Sequence, residues 1–349
     1  MECMSAIDAN AQNTQANGDV VRTLRPALDR VAHRLEEHID TPEPAVAKFV
    51  QHVEHLRGKM LRPTLAFVSG LAVNPKLPED DKLLDDVVTV GAVIELIHLA
   101  TLVHDDVLDE SDERRGKPSV HAAHGQHAAI ILGDYLFARS FHLCSTLDTQ
   151  ATALRVGEIT ALVCAGEMEQ MGGRDDWAMT KDDYFRIIER KTALLIGAAC
   201  ELGSRHGATS PNRAHEQALL RYGLLVGSAF QIQDDLLDLA GDPKALGKPA
   251  GRDIAMGKPT LPIILHLDTA ACRTCARPFH ALLARVAEGD EDAHDDLIDA
   301  LDSTGSLAGA RDEAMSRIAQ AIESLGALPE TPARAHLAAL AEGALNRQA

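Results

Sequence analysis

Residues 87–109 read VVTVGAVIELIHLATLVHDDVLD. The apolar run within them, from Val87 to Val103, has only Glu95 and His98 as ionisable side chains. A membrane-spanning helix needs about 20 apolar residues and tolerates ionisable groups poorly. We therefore predict a helix that is buried in a protein core and that ends in a cluster of aspartates.

The aspartate cluster occurs twice in the chain. Residues 102–112 read LVHDDVLDESD, and residues 231–242 read QIQDDLLDLAGD. Helical spacing pairs Asp105 with Asp109 and Asp234 with Asp238 on one face. Two carboxylates ~5–6 Å apart repel by roughly 3 kcal/mol at an effective dielectric of 20, and a helix C-terminus also disfavours negative charge. A bound cation offsets both penalties.

The chemistry of these clusters suits Mg²⁺, which binds one or two carboxylates and keeps positions for phosphate oxygens. A solvated acidic face is the alternative for one cluster, but it does not explain two clusters of the same spacing. Basic residues, which recognise phosphate, accompany both clusters. They are Arg57, Lys59 and Arg62 upstream, Arg114, Arg115 and Lys117 after the first cluster, and Lys244, Lys248, Arg252 and Lys258 after the second.

The remaining sequence predicts an all-α fold. Hydrophobic residues make up 46% of the chain and aromatic residues 3%, and no segment alternates with the period of a strand. We predict one helical domain over residues 19–349, after a disordered tail at 1–18. The predicted helices cover residues 22–39, 45–57, 62–73, 78–103, 126–147, 152–170, 180–205, 215–239 and 261–267, followed by several C-terminal helices.

Composition also restricts function and location. The net charge of −18 argues against general nucleic-acid binding. The six cysteines are scattered, which predicts reduced thiols in a cytoplasmic protein. Cys272 and Cys275 form a lone C-x-x-C, a weak signal for zinc or redox chemistry. The polar N-terminus does not have the pattern of a secretory signal.

The motifs resemble those of the trans-isoprenyl diphosphate synthases, the polyprenyl synthetase family, and medium- and long-chain polyprenyl diphosphate synthases in particular. Residues 98–109 are similar to the family's first aspartate-rich motif, and GKPSVH at 116–121 and LGDYL at 132–136 to its continuation. FQIQDDLLD at 230–238 is similar to the second motif, and GKPAGRD at 247–253 and GKPTLP at 257–262 to the loop after it. Arg57, Met60 and Gln233 depart from the family's usual residues.

This resemblance implies a single-domain bundle of mostly antiparallel helices around a deep central cavity, usually in a homodimer. It implies three Mg²⁺ ions bound with the diphosphate by Asp105, Asp109 and Asp234, with Asp106 and Asp238 in support. The residues implied for isopentenyl diphosphate are Lys59, Arg62, His98 and Arg115. Those implied for the allylic diphosphate are Arg114, Lys191, Thr192, Gln231, Lys248 and Lys258. Of these, Lys191, Thr192 and Gln231 are the catalytic set, and Thr192 and Gln231 line the carbocation.

The implied reaction joins isopentenyl diphosphate to an allylic diphosphate, farnesyl or geranylgeranyl, and gives an all-trans product of about C30–C50. Short-chain members typically place a bulky aromatic at the positions of Ala100 and Thr101, which are small here. Product release implies a peripheral membrane contact. The alternatives are a short-chain farnesyl or geranylgeranyl diphosphate synthase, a class I terpene cyclase, an HD-type phosphohydrolase using His104 and Asp105, and a regulatory synthase subunit. We otherwise interpret His104 as a core residue.

Overall fold

A computed structural model describes residues 15–40, 43, 46–50, 52, 58–241, 251–269 and 276–345 of the chain. The structure is 81% helical, which confirms the predicted all-α class. Within the described residues, the strands are limited to a two-residue hairpin of β1 (Glu113–Arg114) and β2 (Lys117–Pro118), which pair antiparallel.

The helices follow one another with short connections. In chain order they are α1 (Gln15–Ile39), α2 (Leu61–Val73), α3 (Asp81–Leu108), α4 (Val120–His124), α5 (Gln126–Cys144), α6 (Gln150–Gly172), α7 (Lys181–Ile188), α8 (Leu194–Gly207), α9 (Arg213–Ala240), α10 (Arg252–Ala255), α11 (Leu261–Leu267), α12 (Ala276–Ala287), α13 (Glu291–Ser303), α14 (Ser306–Ser324) and α15 (Pro332–Leu345). A π-helical turn, Glu189–Ala193, joins α7 to α8.

The chain divides into two compact units, and the first contains residues 1–161, 195–223 and 324–339. Its central element is α3, which packs against α1, α2 and α5. By length and composition α3 could cross a membrane, but 78% of its most apolar window is buried inside the protein. This confirms the predicted buried helix, because a core helix has that degree of burial.

Close helix approach in the first unit depends on glycine. A Cβ atom on Gly203 of α8 would collide with the backbone carbonyl of Ala66 of α2, and one on Gly207 would lie 2.6 Å from the Cα of Gly70. Only residues without a side chain allow these two backbones to approach so closely.

The second unit contains residues 162–194, 224–323 and 340–349. Within it, α11 contacts α7 and α13, and α12 contacts α10 and α13. Helix α7 begins with a capping box, in which Thr180 and Asp183 exchange side-chain-to-backbone hydrogen bonds. The guanidinium of Arg317 on α14 lies 3.9 Å from the ring centroid of Phe185 on α7, and this cation–π contact joins the two helices.

The predicted helix positions agree with the structure except at some boundaries. The helix predicted from residue 78 begins at Asp81, because Asp80 caps it by accepting from the N–H groups of Lys82 and Leu83. Helix α1 begins at Gln15 rather than at residue 22, so residues 15–18 of the predicted tail are helical. The rest of that tail, most of the predicted helix at 45–57, and Cys272 and Cys275 lie outside the described residues.

Three of the six cysteines lie within the described residues. Cys144, Cys164 and Cys200 are free thiols. Burial raises the pKa of Cys144 to about 11 and that of Cys200 to about 12, so these two thiols stay protonated and unreactive.

Candidate active site

The first aspartate cluster lies at the C-terminus of α3. Asp105 and Asp106 are in its last turn, and Asp109 caps it by donating its N–H to the carbonyl of Asp105 at 2.8 Å. Asp105 and Asp109 are half-buried, whereas Asp106 is 1% exposed. The predicted carboxylate pair therefore sits where the helix dipole disfavours negative charge, in a position that a cation would stabilise.

Asp106 is held by an arginine of the hairpin. The Nε of Arg114 donates to Oδ1 of Asp106 at 2.7 Å. The hairpin turn consists of Arg115 and Gly116, whose φ angles are 53° and 71°. Two consecutive positive φ angles are the signature of the type I′ turn that suits a two-residue hairpin. Asp106 thus supports the cluster through a charge-assisted hydrogen bond.

The side chains of Arg114 and Arg115 have different neighbours. A Cβ atom on Gly58 would lie 2.7 Å from Nη2 of Arg115, so the guanidinium covers the backbone next to Lys59. Lys59 is exposed, and Met60 adopts a left-handed backbone conformation with φ 54° immediately before α2. The glycine that precedes Lys59 therefore provides the room that the guanidinium of Arg115 occupies.

The charges of three arginines act on His98 of α3. Burial lowers the pKa of His98 well below its usual value, and the positive charges of Arg62, Arg114 and Arg115 lower it further. The imidazole is therefore neutral at physiological pH. Burial also lowers the pKa of Arg62, while the charge of Glu95 raises it. Arg62, His98 and Arg115, which the family resemblance assigns to isopentenyl diphosphate, therefore all belong to the first unit. Glu95 acts on Arg62 in the same unit and was not predicted.

Arg62 has spare donor capacity in this cluster. Its Nε is buried and has no hydrogen-bond partner among the described residues. An arginine is effectively always protonated, and a buried unpaired donor is costly. An incoming anion with several oxygens would satisfy that donor.

The two positions proposed for chain length lie on α3 just before the aspartates. Ala100 is fully buried. Thr101 is half-buried, and its hydroxyl donates to the carbonyl of His98 at 2.8 Å. By helical spacing, Ala100 shares a face with His104 and Thr101 shares a face with Asp105.

His104 packs against α5, but it is half-buried and not a core residue as the sequence suggested. Its Nε2 lies 3.0 Å from the carbonyl of Ile130 on α5. A Cβ atom on Gly133 would collide with its ring. Gly133 therefore forms a notch on α5 that receives the imidazole and fixes the end of α3.

The second aspartate cluster lies at the C-terminus of α9, in the second unit. Asp234 is half-buried, and Asp238 is 6% exposed. Oδ2 of Asp238 accepts the backbone N–H of Asp253 at 2.9 Å, and its carbonyl accepts that of Gly251 at 2.7 Å. The N–H of Lys258 in turn donates to the carbonyl of Asp253. Asp238 therefore orders the segment that carries Lys258, while Lys248 lies outside the described residues.

Lys191 and Thr192 occupy the π-helical turn between α7 and α8. Such turns add one residue to a helix and often mark functional sites. Nζ of Lys191 lies 2.6 Å from Oε2 of Glu167 and 2.8 Å from Oε1 of Gln170, both on α6. These two partners are not predictable from the sequence, because an acidic and an amide side chain on an amphipathic helix carry no distinctive signal.

A hydrogen-bond chain of four side chains joins α7, the π-helical turn and α9. Tyr184 donates from its hydroxyl to Oδ2 of Asp235 at 2.7 Å. Gln231 donates from Nε2 to Oδ1 of Asp235 at 2.9 Å, and Thr192 donates from Oγ1 to Oε1 of Gln231 at 2.8 Å. No role was predicted for Asp235 or for Tyr184, which has the sequence context of a core aromatic.

Burial controls the ionisation of this chain. It raises the pKa of Asp235 well above its usual range, and the charge of Asp253 adds to the effect, while the bonds from Gln231 and Tyr184 oppose it. Burial likewise raises the pKa of Tyr184 well above 10, and the charge of Asp235 raises it further. Tyr184 therefore remains a hydrogen-bond donor across the physiological range.

The carboxylate donors of the two clusters suit a divalent metal ion that also binds phosphate. Among the residues that the structure describes, no three His, Cys, Asp or Glu side chains form a group that could hold an ion alone. Pairs of hard carboxylates fit Mg²⁺, which commonly takes one or two of them and completes its shell with water and phosphate. Of the predicted residues, Asp105, Asp109, Lys59, Arg62, His98, Arg114 and Arg115 belong to the first unit, and Asp234, Asp238, Lys191, Thr192, Gln231 and Lys258 to the second.

Comparisons with known proteins agree with the motifs. A sequence profile of the polyprenyl synthetase family matches residues 43–301. The chain is 35% identical over 337 residues to a short chain isoprenyl diphosphate synthase of Methanothermobacter thermautotrophicus, covering 95% of this chain and 99% of that one. It is 36% identical over 295 residues to the octaprenyl diphosphate synthase of Escherichia coli, covering 83% and 86%.

A solved structure has the same fold. The polyprenyl synthase from Caulobacter crescentus, complexed with calcium and isoprenyl diphosphate, is 29% identical and superposes with a TM-score of 0.82. The comparison covers 95% of this chain and 97% of that one. Proteins of this family use a divalent metal ion. The chain belongs to the polyprenyl synthetase family and is a prenyl-transferring enzyme of the trans-isoprenyl diphosphate synthase type.

Proposed function

We propose that this enzyme is a Mg²⁺-dependent synthase that extends farnesyl or geranylgeranyl diphosphate with isopentenyl diphosphate to an all-trans product of about C30–C50. The observation that carries the proposal is the cluster in the first unit. It combines a carboxylate pair at a helix C-terminus, Asp105 and Asp109, with buried and partly buried arginines around a neutral His98. Carboxylates for a cation next to guanidinium groups for phosphate are the requirements of a metal–diphosphate site.

Asp105, Asp109 and Asp234 would hold three Mg²⁺ ions together with the diphosphate. Asp106 and Asp238 act in support, since each already accepts a hydrogen bond from the protein. Bound Mg²⁺ supplies neutralisation of the charge that develops on the departing diphosphate.

Isopentenyl diphosphate binds to Lys59, Arg62, His98 and Arg115. The buried Nε of Arg62 accounts for part of the affinity for isopentenyl diphosphate, because the diphosphate gives that donor an acceptor that it lacks among the described residues. The neutral imidazole of His98 donates one hydrogen bond without adding charge. These contacts hold the substrate's double bond at a fixed position relative to the allylic carbon.

The allylic diphosphate binds to Arg114, Lys191, Lys248 and Lys258, and its carbon end meets Thr192 and Gln231. Its C1–O bond breaks, and the electron pair leaves with the diphosphate. The double bond of isopentenyl diphosphate then attacks the allylic cation, and a proton is lost to the released diphosphate to restore a double bond. The oxygen atoms of Thr192 and Gln231 stabilise the cation electrostatically, and the apolar surround keeps water away from it.

The length of the product depends on the space available along α3. The small side chains of Ala100 and Thr101 would let a growing tail pass beyond C20. The octaprenyl diphosphate synthase of Escherichia coli, 36% identical to this chain, supports a long product, and the short chain synthase of Methanothermobacter thermautotrophicus supports the alternative, a product of C15 or C20.

The enzyme works as a cytoplasmic homodimer that contacts a membrane only peripherally, to release its product. Large apolar side chains lie exposed on α5 and α6 of the first unit, namely Ile130, Ile131, Phe141 and Leu154. Pairing of two copies through these side chains removes apolar surface from water. Light scattering of the wild type and of Ile131→Glu tests the dimer, which the substituted charge should dissociate.

The deciding experiment incubates the purified full-length chain with farnesyl diphosphate, radiolabelled isopentenyl diphosphate and Mg²⁺, and identifies the products by mass spectrometry. A ladder that ends between C30 and C50 supports the proposal. A product of C15 or C20 indicates the short-chain alternative, and a cyclic hydrocarbon indicates a terpene cyclase. Release of phosphate without condensation indicates a phosphohydrolase, and no turnover at all indicates a regulatory subunit.

A further inference from the structure

The four side chains Tyr184, Asp235, Gln231 and Thr192 form a hydrogen-bond chain in which every donor points towards Asp235. Both carboxylate oxygens of Asp235 accept, one from Tyr184 and one from Gln231. Because the N–H₂ end of the Gln231 amide faces Asp235, its oxygen faces Thr192 and accepts the threonine hydroxyl proton. Asp235, on the side of Gln231 away from Thr192, thus fixes the orientation of the Gln231 amide.

The π-helical turn brings the two ends of this chain onto one helix face. Tyr184 and Thr192 are eight residues apart, and eight regular α-helical steps of about 100° end about 80° away from two full turns. A π turn absorbs one extra residue, which leaves the two residues within about 20° of the same face. Gln231 and Asp235 are an i, i+4 pair on α9 and present a matching face.

Tyr184 is in a position to orient this chain but not to touch a substrate. Its side chain is 3% exposed. Its helix, α7, is fixed by the capping box at Thr180 and by Arg317 over the ring of Phe185. Asp235 is 5% exposed, whereas Gln231 and Thr192, at the other end of the hydrogen-bond chain, are half-buried.

We propose that Tyr184 is a positioning residue. Through Asp235 it sets the amide of Gln231 so that the lone pairs of Gln231 and Thr192, rather than N–H donors, face the allylic carbon. Without the tyrosine hydroxyl, Asp235 gains freedom to turn, and the amide loses its fixed orientation. The inference rests on the proposed function, since it assigns a role to Tyr184 in the ionisation of the allylic substrate.

The experiment compares Tyr184→Phe with Tyr222→Phe. Tyr222 is a matched control because it is also fully buried and its hydroxyl donates to a backbone carbonyl, that of Leu337, at 2.7 Å. Each change removes one buried hydroxyl and keeps the ring. Tyr184→Phe should lower kcat about tenfold, equivalent to about 1.4 kcal/mol, with the KM for isopentenyl diphosphate unchanged. Tyr222→Phe should leave kcat unchanged although it also loses a buried hydrogen bond.

A double-mutant cycle distinguishes positioning from a general loss of structure. If Tyr184 acts through Gln231, Tyr184→Phe should have no further effect on kcat when Gln231 is already leucine. Should Tyr184→Phe fail to fold, Asp235→Asn serves instead. The asparagine amide can still accept from Tyr184, but it presents N–H₂ to Gln231. This variant should lower kcat and leave the half-saturating Mg²⁺ concentration unchanged.

The outcomes separate the inference from the function on which it rests. A wild-type enzyme that makes no polyprenyl diphosphate overturns the proposed function, and the role of Tyr184 with it. An active wild type whose Tyr184→Phe variant keeps the kcat of Tyr222→Phe overturns the positioning role alone. Additive effects in the cycle with Gln231→Leu would also overturn it.

Discussion

The Nε of Arg114 lies 2.7 Å from Oδ1 of Asp106, so the middle aspartate of the first motif forms an ion pair with the arginine that begins the following hairpin turn. Arg114 therefore binds a carboxylate that is only 1% exposed. The next residue, Arg115, is exposed, and its guanidinium lies against Gly58. Adjacent arginines of one basic run thus have different surroundings, and their substitution should have different consequences.

Arg114→Ala should destabilise the protein by about 3–5 kcal/mol, because it removes a charge-assisted hydrogen bond to a buried carboxylate. Arg115→Ala should change stability by no more than about 0.5 kcal/mol, since the side chain is exposed, but should raise the KM for isopentenyl diphosphate about tenfold. Urea unfolding measures the first effect and steady-state kinetics the second. The double variant Arg114→Ala/Asp106→Asn should regain stability. Equal rises in both substrates' KM for both single variants would contradict separate roles.

Removal of an aspartate that binds metal should abolish activity without harming the fold. Asp105→Ala and Asp234→Ala should each lower kcat/KM at least about a thousandfold, while stability without metal should stay equal or rise by about 0.5 kcal/mol because a carboxylate leaves a helix C-terminus. Asp302→Ala is the control, since Asp302 is an exposed aspartate in the last turn of α13. Chelation with EDTA should stop the wild type, and Mg²⁺ should restore it. A variant with wild-type turnover would rule out its aspartate as a ligand.

Acid should destabilise the enzyme through His206. Burial lowers the pKa of this histidine from 6.5 to about 4, and the charge of Arg205 adds to the effect. Between these values the unfolded chain binds a proton that the folded chain does not, so stability is complete above about pH 6.5 and falls as the pH drops towards 4. At pH 5 the loss should be about 2 kcal/mol.

The measurement is the urea midpoint at pH 7.5 and pH 5. His206→Gln should reduce the difference between the two pH values, whereas the exposed His33→Gln should leave it as in the wild type. His98 and His336, whose pKa values burial also lowers, contribute with the same sign, so some pH dependence should persist. An unchanged difference in His206→Gln would mean that His206 does not take up a proton on unfolding.

The sequence predicts the helices and the aspartate motifs because each has a strong local signal. The apolar run before Asp105 and the i, i+4 aspartates of α9 depend only on helical period and charge. Where a polar residue caps a helix, as Asp80 does, the boundary follows from hydrogen bonding that the apolar pattern does not report. The hairpin escapes prediction because two-residue strands are too short to alternate.

The features that the sequence does not reveal depend on tertiary contacts. The π-helical turn at Lys191 shifts the helix face by one residue, a change too small to disturb an apolar pattern. Tyr184 occupies an apolar position of α7, and only the structure shows that its hydroxyl reaches Asp235. Likewise, Glu95 reads as an isolated charge in a core helix until Arg62 is found near it.

Product length is the last prediction, and it can be tested at two neighbouring positions. Thr101 lies one turn before Asp105, about 6 Å along the helix axis, and is half-buried. Ala100 is fully buried, so Ala100→Tyr should cost about 1–3 kcal/mol through overpacking, whereas Thr101→Phe should be tolerated better. Both variants should shorten the product towards C15–C20 while the first condensation survives, because an aromatic ring fills the space that the growing chain needs. Met315→Phe, which adds a ring at an exposed position of α14, should leave the product unchanged. A wild type that stops at C15 or C20 would refute the long product, and a long product from both variants would show that neither residue limits the chain.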